Sequence, residues 1–332
     1  MSDATSLPPL RRVAIIGAGA MGSSLAIVAA RFATVVMVVR NPQRAAQIFE
    51  RGVECRGLLE GRANPLVVRS VADLEAVGGV GVVFIATKTT AIPQVCADLA
   101  PALDSIGESD RPVRIVSYQN GVEPGREIMQ LLPGAAVLRM VLNYGATMDQ
   151  RTGVVDVAMH APPHAIGCLD APLVPYARSL AARLSAADFP TVYDERIEQR
   201  VWEKAILNAS MSPVAALVNS TIGEVLRSPS RRVVEHLLAE SIAVAKADGI
   251  ELPDDFAARA WAVFEKGAEH LPSMVHDIRE GRESEVGQLN RQVLEHARRR
   301  SVPTPTHDTV DALIETFDWR VYQRGGAGDS DR

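Results

Sequence analysis

Gly17-Ala18-Gly19-Ala20-Met21-Gly22 spells GxGxxG directly after an apolar run at 13–16 and directly before small and apolar residues that continue to Ala30. The pattern reads as strand, glycine turn, helix. Its chemistry is anion binding without a charged side chain. Gly17 supplies the positive φ of the tight turn, Gly19 lets the backbone approach a pyrophosphate, and Gly22 lets the helix pack on the strand. The helix that starts there aims unpaired N–H groups and the positive end of its dipole at the phosphates. Glycine-rich turns also occur in loops that bind nothing, but a second apolar run at 35–39 supplies the context a dinucleotide site requires.

That second run ends in Arg40. A carboxylate at such a position would bond a ribose 2′-hydroxyl, whereas an arginine suits a 2′-phosphate, so NADP is favoured over NAD. The alternative is a solvated arginine at a strand end. A third apolar run, at 80–86, leads into Lys88, and a further strand, Arg114–Ser117, leads into Asn120-Gly121. Both polar residues then sit beyond the carboxyl ends of sheet strands, where cofactors lie in such folds. Asn120 reads equally well as a turn former before its glycine.

Lys204, Asn208 and Ser212 recur every four residues, which lays them on one face of a helix whose other face carries Trp202, Ile206 and Ala209. Such a polar stripe can line a cleft. Taken alone, Lys204 reads first as a solvated lysine beside Glu203.

The elements that would hold these residues follow from the texture of the chain. Strands and helices alternate as far as about residue 194, with helices at Pro42–Arg51, 91–103 and 175–187. Irregular strands fall at 53–70, and a strand-rich stretch at 135–167 adds antiparallel members to the sheet. From about 195 to 323 long amphipathic helices take over, at 197–211, Arg231–Ala247, 255–268, 283–300 and 306–317. The fold class is therefore α/β, a Rossmann-type doubly wound sheet in residues 1–194 followed by an all-α domain in 195–323. The glycine-rich end, 324–332, is expected to be a flexible tail.

Composition narrows the function. The 332 residues are 47% hydrophobic and 23% charged, and the net charge of −5 argues against a nucleic-acid binder and for a small-molecule ligand. Cys55, Cys96 and Cys168 form no CxxC, and neither the pair His160 and His164 nor the pair His270 and His276 has metal-ligand spacing. No metal is expected. The amino terminus lacks the pattern of a signal peptide and no stretch reads as a membrane span, which fits a reducing cytoplasm.

With these motifs in place, the chain resembles the ketopantoate reductase (2-dehydropantoate 2-reductase) family. That family combines the N-terminal GxGxxG with Lys-x3-Asn-x3-Asn on a helix and with Ser-Met-x2-Asp followed by Thr-Glu-Ile. Here the second motif holds Lys204 and Asn208, the third reads Ser273-Met274-Val275-His276-Asp277, and Ser284-Glu285-Val286 follows it. The resemblance implies that Lys204 is the catalytic lysine and Glu285 its essential acidic partner. It implies substrate contacts from Asn208, Ser273, Asn120 and Ser212, the last at the place of the family's second asparagine. Lys88 and Asn120 match positions near the cofactor, and Arg40 matches the residue that selects NADPH. Ser212-Pro213 and Asn290-Arg291 depart from the family pattern.

The activity implied is NADPH-dependent reduction of ketopantoate to (R)-pantoate in pantothenate biosynthesis, by a chain that could pair into a homodimer. Ser212 keeps open a reductase of another small 2-oxo acid or imine. A protein that senses redox state by binding NADPH without turnover is the third reading, and a lysine with an acidic partner argues against it.

Overall fold

The computed structural model describes residues 10–108, 112–169 and 171–326. The first nine residues and residues 327–332 lie outside it. The chain divides into two compact units. One holds the residues up to Gln119 and then Pro124–Ile197, and the other holds Asn120–Glu123 and the chain from Glu198 on.

The first unit opens with β1 (Arg12–Ile16), α1 (Ala20–Ala29), β2 (Thr34–Val38), α2 (Pro42–Arg51), β3 (Val53–Gly57), β4 (Gly61–Ala63) and β5 (Leu66–Val68). It continues through α3 (Asp73–Ala76), β6 (Val82–Ile85), α4 (Ile92–Leu99), β7 (Arg114–Ser117) and α5 (Pro124–Leu131). Strands β8 (Ala136–Val141), β9 (Tyr144–Met148), β10 (Val155–His160) and β11 (His164–Cys168), then α6 (Val174–Ala186) and β12 (Thr191–Tyr193), complete it. Its main sheet is eight-stranded, in the order β12-β11-β8-β7-β6-β1-β2-β5. Strand β1 lies between β2 and β6 and is parallel to both, with Ile16 level with Val38 and Ile85. The chain leaves β1 toward β2 and returns on its other side at β6, so strand order reverses at the carboxyl end of β1. Doubly wound sheets bind ligands at such a point.

The stretch 135–167 departs in part from expectation. Strand β11 joins the main sheet antiparallel to β8, but β9 and β10 leave it and form a second sheet of order β4-β3-β10-β9. The reason lies in α1. Every residue of that helix from Gly22 to Ala29 is buried, and a helix that is apolar all round needs a cover on both sides. The main sheet covers one side. Val53 and Cys55 of β3 and Val155 and Val157 of β10, buried in alternation, belong to the same core and cover the other.

The second unit is helical: α7 (Ile197–Val218), α8 (Ile222–Arg227), α9 (Arg231–Ala247), α10 (Phe256–Lys266), α11 (Ser273–Arg279), α12 (Asn290–Arg300) and α13 (Pro305–Gly326). Several expected boundaries are corrected. The helix expected over 283–300 starts only at Asn290, because Ser284 turns away to bond Asp318. Its N–H and Oγ donate to that carboxylate at 2.8 and 2.7 Å, and its Oγ accepts from Val286 N at 3.2 Å. Glu285 therefore lies on an irregular turn and not on a helix face. The tail expected from Arg324 begins inside α13, which reaches Gly326.

The helix expected to stop at Met211 runs on through Pro213. Proline has no N–H for the carbonyl of Ala209 one turn back, which ordinarily breaks a helix. Here the Nδ2 of the fully buried Asn290 donates to that carbonyl at 3.1 Å. The same amide faces Nδ1 of His307 at 3.0 Å, while Nε2 of His307 faces the carbonyl of Leu237 at 3.1 Å. A carbonyl can only accept, so Nε2 carries the proton and Nδ1 accepts from Asn290. Burial pushes the His307 pKa down to about 4, which keeps the ring neutral. Asn290→Ala leaves Ala209 O and His307 Nδ1 without this donor, at about 1–3 kcal/mol for each buried group, and should lower the melting temperature measurably. A melting temperature equal to that of the wild type would show that the break at Pro213 needs no support.

Candidate active site

In the first unit a cavity of about 590 Å³ opens at the carboxyl ends of β1 and β2. Ile16, Gly17, Ala18 and Gly19 form one wall, and Arg40, Asn41, Arg44, Thr87 and Arg151 contribute others. Gly17 has φ +110°, and a Cβ on it would lie 2.9 Å from the carbonyl of Ala86. A Cβ on Gly22 would lie 2.0 Å from the carbonyl of Gly17. At Gly19 an added Cβ would meet nothing within 4 Å, and no side chain caps the first turn of α1. Two glycines thus serve the packing of the protein against itself. The middle one faces open space beside the first N–H groups of α1, which no side chain caps. Ala20 and Met21 begin the helix itself.

Arg40 lines the cavity but is ion-paired with Asp98. Arg44, one turn into α2, is bound more firmly. Its Nε donates to Ala18 O at 3.2 Å, Nη2 to Ser23 Oγ at 2.9 Å and Nη1 to Gln47 Oε1 at 2.5 Å. Burial lowers its pKa from the ordinary guanidinium value. Asn41 caps α2 by accepting from Arg44 N at 2.9 Å, so the cap that starts the helix also aims this side chain at the glycine loop. Arg151 arrives from the turn between β9 and β10, where Asp149 Oδ1 accepts from Arg151 N and Thr152 N at 2.8 and 3.0 Å. Reading the sequence from the strand end finds Arg40 and passes over Arg44 and Arg151. The helix signal Asn41-Pro42 pointed toward the former. Lys88 is exposed at the turn after β6, a stretch from which Thr87 and Ala91 line the cavity.

In the second unit Asn120 Nδ2 donates to Glu285 Oε2 at 3.0 Å, joining residues 165 positions apart. Both are half-buried. Gly121 has φ +93°, so the Asn-Gly pair forms a turn. Lys204 and Asn208 stand half-buried one helical turn apart on α7, and Ser212, one turn further, is 9% exposed. Trp202, Ile206 and Ala209 fill the core as their spacing foretells. Glu203, the neighbour that would partner a solvated Lys204, is bonded to Gln199 at 2.8 Å and to Arg200 at 3.0 Å. Ser273 is exposed as the first residue of α11. Among the described residues no group of three or more His, Cys, Asp or Glu could hold a metal ion, and no helix is long and apolar enough to cross a membrane.

Comparison with known proteins bears on both units. The family profile described as "Ketopantoate reductase PanE/ApbA" matches residues 13–169, and the one described as "Ketopantoate reductase PanE/ApbA C terminal" matches 196–317. The 2-dehydropantoate 2-reductase of Halobacterium salinarum is 26% identical over 319 residues, spanning 95% of this chain and 100% of the relative. In structure the chain is similar to a PanE/ApbA family ketopantoate reductase from Ralstonia eutropha JMP134, with a TM-score of 0.81 at 24% identity over 94% of this chain and 99% of the other. It is also similar to a D-mandelate dehydrogenase solved with NADH and anilino(oxo)acetate, with a TM-score of 0.81 at 20% identity over 94% and 99%. A Rossmann-type first unit, a helical second unit and these matches define an oxidoreductase. The chain belongs to the ketopantoate reductase family.

Proposed function

We propose that the chain reduces 2-dehydropantoate (ketopantoate) to (R)-pantoate with NADPH, a step of pantothenate biosynthesis. The observation that carries this reading is the hydrogen bond from Asn120 to Glu285, which brings the residue beyond a Rossmann strand to the acidic residue of the third motif.

The cofactor fits what the first unit offers. Gly19 leaves room for a pyrophosphate, the uncapped start of α1 supplies donors, and Arg40, Arg44 and Arg151 bring positive charge to the same cavity. When bound, the dihydronicotinamide supplies the hydride. Negative charge then grows on the substrate's carbonyl oxygen, and the Lys204 ammonium stabilises it and donates the proton that completes the alcohol. A carboxylate at Glu285 keeps that ammonium charged or accepts a substrate hydroxyl. Asn208, Ser212 and Ser273 offer an amide and two hydroxyls to the remaining oxygens of a small 2-oxo acid.

Of the arginines, Arg44 is the better candidate to read a 2′-phosphate: its acceptors Ala18 O, Ser23 Oγ, Gln47 Oε1 and Gly153 O are all neutral and leave its charge uncompensated, whereas Arg40 has Asp98 as a counter-ion. A charge-assisted hydrogen bond is worth about 1.5–3 kcal/mol, so Arg44→Ala should raise the KM for NADPH by roughly 10–100-fold and leave that for NADH nearly unchanged. Arg40→Asp should shift the preference toward NADH by less. Equal losses with both cofactors would show that Arg44 supports the fold of the loop and does not read the phosphate.

A second reading is favoured by Ser212, a buried hydroxyl in place of an amide, and by the likeness to D-mandelate dehydrogenase: reduction of a different, bulkier 2-oxo acid. NADPH oxidation measured over a panel of 2-oxo acids, with ketopantoate and an aryl 2-oxo acid included, separates the two. A kcat/KM of about 10⁴ M⁻¹s⁻¹ or more on ketopantoate supports the first. Activity on the aryl acid alone replaces it with the second. No observation favours a non-catalytic sensor.

A further inference from the structure

Helix α12 presents Gln292, His296 and Arg299 at i, i+4 and i+7, one stripe along its side, and the segment after Asn120 lies along that stripe. Gln292 Oε1 accepts from Val122 N at 2.7 Å and from Glu123 N at 3.3 Å, while its Nε2 donates to Gln288 Oε1 at 2.9 Å and so fixes which end of the amide faces the segment. The approach is close. A Cβ on Gly121 would lie 2.4 Å from Gln288 O and 2.7 Å from Gln292 Oε1.

The Glu123 carboxylate then meets His296 Nε2 at 2.7 Å and Arg299 Nη1 at 3.3 Å. The other ring nitrogen of His296 faces the Asp248 carboxylate, which Arg300 also holds at 2.6 Å. The indole of Trp202, two residues before Lys204 on α7, packs edge-on against the imidazole with centroids 5.0 Å apart. His296 thus touches the helix of Lys204 on one side and the segment of Asn120 on another.

We propose that Gln292 and His296 are positioning residues: they clamp residues 121–123 so that the Asn120 amide is held against Glu285, in register with the helix that carries Lys204. The clamp rests on the reading of Asn120 and Glu285 as parts of the reaction site. It works through His296 in its charged form, since an imidazolium with Nδ1 bonded to Asp248 and Nε2 at ion-pair distance from Glu123 is attracted to both carboxylates. Burial by itself lowers the His296 pKa, but Glu123 and Asp248 outweigh it and the net shift is upward from 6.5. Glu123 is correspondingly held below the usual carboxylate range, chiefly by its bond to His296. Stabilisation by the charged ring is complete below pH 6.5 and is lost as pH rises through the raised value in the folded chain.

The test takes Gln292→Leu, which removes the acceptor, and Glu123→Gln, which removes the charge but keeps the shape. Each is read by hydrogen exchange at the Val122 and Glu123 amides and by kinetics with NADPH and ketopantoate. In Gln292→Leu the two amides should exchange roughly ten-fold faster or more, and kcat/KM for ketopantoate should fall by a similar factor while the KM for NADPH stays within about two-fold. In Glu123→Gln the alkaline fall of kcat/KM should move to lower pH. Unchanged exchange in Gln292→Leu, or an unmoved pH profile in Glu123→Gln, overturns the clamp. Faster exchange with unaltered kcat/KM overturns its part in turnover. A wild-type chain inactive on ketopantoate whose amides still respond to Gln292→Leu supports the clamp and overturns the substrate assignment instead.

Discussion

Lys204→Ala should lower kcat for ketopantoate reduction by roughly 10²–10⁴-fold, the range a positioned general acid contributes, with NADPH affinity preserved. The separation of effects follows from placement. Lys204 is half-buried on α7, in the second unit, and the glycine loop and arginines that suit the nucleotide belong to the first. The helix itself is held by Ile206 and Ala209, both fully buried, so truncating a half-buried side chain leaves its path intact. On the proposed mechanism, what disappears is a proton donor and a positive charge at the developing alkoxide. Lys204→Arg sharpens the test, because a guanidinium keeps the charge but does not give up a proton at neutral pH. It should recover only the electrostatic part of the loss. NADPH binding followed by fluorescence, together with steady-state kcat, reads both effects, and a kcat for the alanine variant within about three-fold of wild type would remove Lys204 from the mechanism.

How much of this was legible in the sequence depends on the range of the interactions. Strands β1, β2 and β6 are buried on both faces, so each is a largely apolar run that can be read locally, whereas β7 buries a polar residue at each end. Helices α2 and α9 have the bounds that their patterns predict. The second sheet does not announce itself, because Cys55 finds Val155 as its partner across a hundred residues of chain and nothing in either strand names the other. Helix α8 had a readable signal in the capping box of Thr221 and Glu224, which a search for long amphipathic patterns passes over. At the site, the glycine loop is legible because its requirements are local. The Asn120 to Glu285 bond is not, and the acidic residue was identified only by resemblance to a family. Arg44 lines the cavity without being read from the strand end, because the chain also places an arginine in the first turn of the helix that follows.

Two glycines of one loop should fail in opposite ways when changed to alanine. At Gly22 the new methyl would sit 2.0 Å from Gly17 O and 3.1 Å from the Ala86 side chain, both fixed by the core, so the start of α1 must lift off the sheet. Overpacking of this kind costs about 1–3 kcal/mol or more, and for a unit of this size Gly22→Ala should melt roughly 5–10 °C lower. Because α1 is buried between two sheets, the displacement reaches both, and nucleotide affinity falls as a consequence of damage to the fold. At Gly19 the backbone has φ −74°, which any residue adopts, and the methyl meets no protein atom within 4 Å. Gly19→Ala should therefore melt within about 2 °C of wild type, as surface substitutions do. The open space beside Gly19 has a use only if a ligand's backbone contact fills it. NADPH affinity should then drop by roughly ten-fold or more, since a methyl in that space holds the pyrophosphate away from the helix N–H groups. Thermal melting and NADPH titration on the same two proteins decide the matter. If Gly19→Ala binds NADPH as tightly as the wild type does, the loop packs the protein without cradling a phosphate, and the cavity beside it must serve another ligand.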